Sequence, residues 1–305
     1  MKTMEKKFIL TDEFVINKFG VKLFRIKCVN SFKYADEGDS GGFIEKEGNL
    51  EQSGDAWVSD DARVSGNARV SDDAQVSGNA LVSDDAQVSG NAQVSGNAWV
   101  SDDAWVSGNA RVSDDAWVSG NAQVYGDAWV SGNTRVSDDA QVSGNAWVSG
   151  NAQVSDDAQV SGDAWVSGDA RVSGDAWVYG NAQVSGNARV SDDAQVSGNA
   201  RVSGDAWVSG NTQVYGNAQV YGNARVSGNA KIENNDSHCG FDCFGSANRH
   251  THAYLTKDNK VEITCGCFKG SIEEFEKKVE KTHSGTVYEE QYKAIIDVIK
   301  IKFGL

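Results

Sequence analysis

Ala56-Trp57-Val58-Ser59-Asp60-Asp61 is the first of thirty six-residue units that run without insertion to Ala230-Lys231-Ile232-Glu233-Asn234-Asn235. Each unit reads Ala-x-Val-Ser followed by Gly-Asn, Asp-Asp or Gly-Asp, with few departures. In Ala-x-Val the first and third residues are apolar and the middle one is Trp, Arg, Gln, Leu or Lys, the period-two alternation of a strand with one buried face. Ala and Val point inward and x points outward. The following Ser-Gly-Asn or Ser-Asp-Asp turns the chain, with Gly and Asn expected to take up positive φ. A fixed short period of this kind is the mark of a solenoid, in which a unit buries its apolar face only by stacking on its neighbours.

Three such sides make an 18-residue coil, so the repeat predicts ten coils and, at roughly 4.8 Å per strand, a rod on the order of 48 Å long. Its interior is Val with Ala; the inward Ala gives way only to Thr134 and Thr212, and the last inward Val to Ile232. Burial of each Val is worth roughly 1.5–3 kcal/mol, which in sum offsets much of the ordering entropy of a Gly-rich chain.

Units such as Val58-Ser59-Asp60-Asp61-Ala62-Arg63, repeated through Val226-Ser227-Gly228-Asn229-Ala230-Lys231, resemble the hexapeptide-repeat proteins that fold as left-handed parallel β-helices. That resemblance implies left-handed, three-sided coils. The run Gly38 to Ile44 followed by Leu50 to Val58 is similar to the start of the β-helix in some bacterial hexapeptide transferases. The run Cys265-Gly266-Cys267-Phe268, with Thr282-His283 further on, is similar to a C-terminal module of phage and prophage repeat proteins. Neither likeness brings a catalytic residue.

The expected organisation is an N-terminal β cap over 1–50, the β-helix over 51–235 and a small α+β domain over 236–305. Two strand-like runs, Lys7 to Ile16 and Val21 to Val29, make the cap, because an open first coil would present a free strand edge. In the last segment, Ala253 to Thr256 and Val261 to Cys265 flank the hairpin signal Lys257-Asp258-Asn259-Lys260. Ser271-Ile272-Glu273-Glu274 is a capping box with Ile272, Phe275 and Val279 on one face, and Tyr288, Tyr292, Ile295, Ile296 and Ile299 mark a second helix.

The net charge is −15, and the repeat alone carries −13. Such a field disfavours direct contact with nucleic acid and favours basic partners or cations. The stretch MKTMEKKFILTDEF lacks a signal-peptide core and no long apolar run exists, so the expectation is a cytoplasmic protein away from membranes. Five Cys suit a reducing compartment better than a disulfide framework.

Taking every third hexad sorts the outward residues onto three faces. One carries Trp57, Arg111, Trp129, Trp147 and Trp165. A second carries Arg63, Leu81, Trp99, Trp117, Arg135, Arg171, Arg189, Trp207 and Arg225. The third is mostly Gln, broken by Trp105 and Trp177, so all nine Trp are outward. Exposed aromatic rows mark contact surfaces, and Trp99, Trp117, Trp129, Trp147, Trp165, Arg135, Arg171 and Arg189 are the candidate partner-binding residues. The bland alternative is that each row shields itself by stacking, with Arg across Trp.

Five of the eight Asp-Asp corners precede the Gln-rich face and share one acidic edge: Asp84, Asp85, Asp102, Asp103, Asp138, Asp139, Asp156, Asp157, Asp192 and Asp193. Carboxylates on adjacent coils could hold a hydrated cation, but no ligand loop accompanies them and a solvated edge is the simpler reading. All four His and the Cys239, Cys243, Cys265 and Cys267 thiols fall in the last segment; a zinc site drawing on Cys265 and Cys267 lacks paired Cys-x2-Cys knuckles. No metal and no cofactor is therefore expected.

Hexapeptide-repeat relatives are often acyltransferases, which implies a His general base on the coils and loops leaving them. The thirty hexads contain neither His nor Cys. The sequence thus points to a non-enzymatic binding or scaffold protein that engages a protein partner or another copy of itself, with an acyltransferase-like enzyme as the alternative. A sharper expectation is a phage-type inhibitor whose carboxylates imitate phosphates to occupy a basic nucleic-acid-binding host defence protein.

Overall fold

A computed structural model describes residues 5–305; residues 1–4, at the start of the expected cap, lie outside the described residues. The chain divides into a unit ending at Ser167 and a unit from Gly168 to Leu305. Both contain parallel β-solenoid coils.

In the first unit, strands Phe8–Ile16 and Lys22–Cys28 form an antiparallel hairpin, and Ser40–Ile44 lies antiparallel to the second of them. Ser40–Ile44 also runs parallel to Arg63-Val64, so the preceding segment is hydrogen-bonded to the first coil. Nineteen two-residue rungs follow, from Trp57-Val58 to Trp165-Val166, those up to Trp147-Val148 each paired with the rung 18 residues on, as in Trp129↔Trp147 and Val130↔Val148. The rung N–H groups donate forward, Trp129 N to Ala146 O at 2.9 Å and Ser131 N to Val148 O at 3.0 Å. The first coil's carbonyls would therefore be left without donors. Phe43 N donates to Ala62 O, Glu45 N to Val64 O and Glu51 N to Val70 O; Asn49 Nδ2 donates to Ala68 O at 2.8 Å and the buried Lys7 ammonium to Ala56 O at 2.8 Å. Burial lowers the Lys7 pKa to about 8.

Every rung Val, and the Ala before it, is buried. The corners close by Ala N to Ser O bonds three residues back, as from Ala140 to Ser137 at 3.2 Å. Positive φ falls on the first corner residue only: Gly126 at +73° and, where Asp stands in that slot, Asp138 at +60°. The expectation that Asn takes this conformation is corrected: Asn occupies the second corner position, and its amide donates along the edge, Asn121 Nδ2 to Asp139 Oδ1 at 2.8 Å.

The second unit has eleven rungs, from Arg171-Val172 to Lys231-Ile232, on the same three-ladder plan. An antiparallel sheet of His238–Phe244, Arg249–Leu255, Val261–Cys265 and Phe268–Ser271 follows. Helices α1 (Ile272–His283) and α2 (Val287–Phe303) pack on it, and Ser271 with Glu274 forms the expected capping box. Ala253, Ile263, Phe275, Tyr292, Ile295 and Ile299 lie in their shared core. Among the described residues no helix is long and apolar enough to cross a membrane.

Candidate binding faces

The period of 18 brings like residues onto one line, and the structure turns three of the Trp into a stack. Trp129 and Trp147 are parallel within 1° at 4.9 Å between ring centres, and Trp147 and Trp165 within 6° at 5.2 Å. The three are 38%, 37% and 43% exposed. Arg111 lies over the outer ring at 5.8 Å from Trp129. Trp129 Nε1 donates to Ser113 Oγ at 3.4 Å, a bond repeated at Trp99, Trp105 and Trp117 to the Ser sixteen residues back. At these four Trp the indole N–H is thus used on the preceding coil, leaving apolar ring surface toward solvent.

The second candidate row is less open. Trp99 and Trp117 stack at 5.1 Å, but Lys18 covers Trp99 at 4.2 Å and Arg135 lies 5.5 Å from Trp117, so both rings are half-buried. Trp57, outward by register, is buried beneath Phe32 at 5.4 Å, which corrects the picture of nine equivalent exposed Trp. The reason is non-local: the segment before the first coil folds over these rungs. In the second unit, Arg171 and Arg189 are register partners, exposed, and line a cleft of about 420 Å3 with Asp169, Asp205, Trp207 and Arg225.

The acidic edge is built into the corners. Asp102 Oδ2 accepts from Gly120 N at 3.1 Å, Asp192 Oδ2 from Gly210 N at 3.0 Å and Asp138 Oδ2 from Asp156 N at 3.4 Å. Ser83 Oγ donates to Asp84 Oδ2 at 2.8 Å. The second carboxylates take amides, Asn67 Nδ2 to Asp85 Oδ1 at 3.0 Å. Asp103, Asp157 and Asp193 are exposed at the same position. A first-position Asp therefore replaces Gly by adding a hydrogen bond to the neighbouring coil, and much of the edge's chemistry is structural.

A polar cluster in the second unit was not legible in the sequence. His238 Nδ1 and His252 Nε2 share a hydrogen bond of 3.0 Å, and His250 Nδ1 lies 2.6 Å from Asp242 Oδ1. His238 Nε2, His250 Nε2 and His252 Nδ1 are buried without a hydrogen-bond partner. The rings line a cavity of about 320 Å3 with Cys239, Gln219 and Tyr221. Burial, with the nearby Lys302 ammonium, pulls the His238 pKa down to about 4, and burial takes His252 well below its ordinary value. Burial raises the Cys239 thiol to about 11, which keeps it protonated. Among the described residues no three His, Cys, Asp or Glu side chains are grouped to hold a metal. The two Cys weighed for zinc do not converge: Cys265 is buried, accepting from Thr251 Oγ1 at 3.3 Å, and Cys267 is exposed.

Parallel two-residue rungs in three ladders, with apolar residues inside and the variable residue outside, define a β-solenoid repeat protein. The chain belongs to the YdcK β-solenoid repeat family, which it matches over residues 62–120, 122–138, 140–156, 164–180, 182–210 and 218–232, just over half its length. No curated protein matches the sequence. Among solved structures, a UDP-N-acetylglucosamine acyltransferase of Francisella novicida is similar at 11% identity over 48% of this chain, with a TM-score of 0.30. The match spans 58% of that enzyme's chain, under two thirds of its length. A Bacillus cereus protein assigned provisionally as an acetyltransferase is similar at 12% identity, over 70% of this chain and 92% of its own, with a TM-score of 0.17. At these scores neither likeness bears on activity.

Proposed function

We propose that this protein is a non-enzymatic binding scaffold that engages a protein partner through its aromatic rows. The observation that carries the reading is the Trp129–Trp147–Trp165 stack, three parallel rings each more than a third exposed on successive coils. Rigid aromatic surface held in place by a backbone ladder loses little entropy on binding and is enriched where interfaces concentrate their energy. The test replaces Trp129, Trp147 and Trp165 together by Gln in the full chain. A partner retained from bacterial lysate by the unaltered protein should be lost at least tenfold by the variant, with unchanged circular dichroism. Equal retention by both would refute the role of this face.

A sharper form of the proposal is a phage-encoded inhibitor that presents its corner carboxylates, such as Asp138, Asp139, Asp156 and Asp157, to a basic nucleic-acid-binding host protein. The support is the row of carboxylates that five of the eight Asp-Asp corners set along one edge, within a repeat of charge −13. Affinity would then fall steeply with salt and fall again on Asp139→Asn with Asp157→Asn. The competing reading, an acyltransferase-like enzyme, predicts acyl-CoA turnover by the purified chain.

A further inference from the structure

Helix α2 has two apolar faces, and the chain uses one. Tyr292, Ile295, Ile296 and Ile299 are buried in the core shared with α1 and the sheet. On the other side Val287, Val298 and Ile301 are 59%, 49% and 80% exposed, and Ala294 is exposed between them. With Gln291, these positions follow one another at intervals of four, three, four and three residues, the spacing of a helix–helix seam. Gln291 is engaged at home, its Oε1 accepting from Gly245 N at 3.0 Å. Ala294, near the middle, leaves room for a second helix to approach closely.

The charged flank beside the seam says what covers it. Glu290, Lys293, Asp297 and Lys300 alternate in sign, and the series read backwards is its own complement. We propose that two copies of this chain join through α2 as an antiparallel pair about a twofold axis. Gln291 then meets Ile301 of the partner subunit and Ala294 meets Val298 of the partner subunit. On the flank, Glu290 faces Lys300 of the partner subunit and Lys293 faces Asp297 of the partner subunit. A parallel pair would instead set this flank beside the opposite side of the partner's helix and leave the complementary series unused. A second copy supplies the reversed pattern by symmetry, as an isologous contact requires. At home Lys293 pairs with Glu289 at 2.8 Å and Lys300 with Glu276, partly exposed ion pairs that re-form at small cost. The acidic Glu276 and Glu280 of α1 border the same flank. The inference does not rest on the Trp rows.

Sedimentation velocity on the full chain tests it. The unaltered protein should sediment at twice its 32.6 kDa chain mass. Ile301→Asp and Val298→Asp, each at an exposed site, should halve that mass with circular dichroism unchanged. Asp297→Lys should weaken the dimer by setting Lys against Lys, and adding Lys293→Asp should restore it. The triple Trp-to-Gln variant should remain dimeric, which separates this contact from the aromatic rows. A monomer at all concentrations, a dimer that survives Ile301→Asp, or no restoration in the charge pair would overturn the proposal.

Discussion

Thr134 and Thr212 stand where every other unit has its inward Ala, and both are fully buried, yet their hydroxyls differ. Thr212 Oγ1 donates to Ser209 O at 2.7 Å, whereas Thr134 Oγ1 has no partner. Valine keeps the shape and replaces the hydroxyl by a methyl. At 134 this removes a desolvated polar group whose burial costs about 1–3 kcal/mol, so Thr134→Val should stabilise by about 1–2 kcal/mol. At 212 it removes a made bond and strips a donor from a carbonyl, so Thr212→Val should destabilise by about 1 kcal/mol. Repeat arrays need not unfold as one, so the assay is native-state hydrogen exchange read by peptide around each site. Protection should rise roughly fivefold around 134 and fall by a similar factor around 212, since 1 kcal/mol is about a factor of five. If both sites shift the same way, side-chain volume rather than hydrogen bonding governs the interior, and the reasoning fails.

Two more expectations follow from single contacts. Asp192 sits at φ +57° and accepts from Gly210 N, so Asp192→Ala, which keeps the strain and loses the bond, should cost about 1–2 kcal/mol in urea unfolding. Asp192→Gly relieves the strain and should cost less; an alanine variant as stable as the glycine one would contradict this. Acid should loosen the C-terminal domain, because His238 and His252 bind fewer protons folded than unfolded. Their contribution is present above pH 6.5 and lost as the pH falls from 6.5 toward 4. Near-UV circular dichroism should report a transition in that window that His238→Gln flattens, and a profile unaltered by that change would count against the assignment.

The coil was legible because Ala-x-Val is written thirty times, and inside and outside follow from alternation alone. What lay beyond the sequence depends on contacts between distant segments. Trp57 and Trp129 hold the same place in the repeat, but Phe32 covers one and nothing comparable covers the other. His238–Phe244 gives no alternating signal, since its Gly240, Asp242 and Cys243 interrupt the pattern, so the strand was missed. With it went the His238–His252 contact, which exists only because His238 pairs with Tyr254 in the antiparallel register. The swap of Asp for Gly at the positive-φ position is visible as a substitution, but its reason, the bond to the neighbouring coil, joins residues 18 apart and leaves no local signal.

The uniform interior leaves open how the coils find their register. Sliding one coil by a single hexad sets Val on Val and Ala on Ala again, at no cost in buried area. The outward residues do discriminate: the same slip trades the Trp147 ring beneath Trp129 for Gln141 or Gln153, losing a stacked pair worth about 0.5–1.5 kcal/mol. It also moves Asn121 away from Asp139, with which it is bonded at 2.8 Å. At the start of the first unit, Lys7 and Asn49 can donate to only one set of carbonyls, which anchors the count. The stack that the function is proposed to use therefore also aligns the coils, so Trp147→Gln in the full chain should cost folding yield as well as partner affinity. Refolding yield measured against a variant at the outward but isolated Trp105 separates the two roles. An equal loss at Trp105 would mean that general surface hydrophobicity, rather than stacking, sets the register.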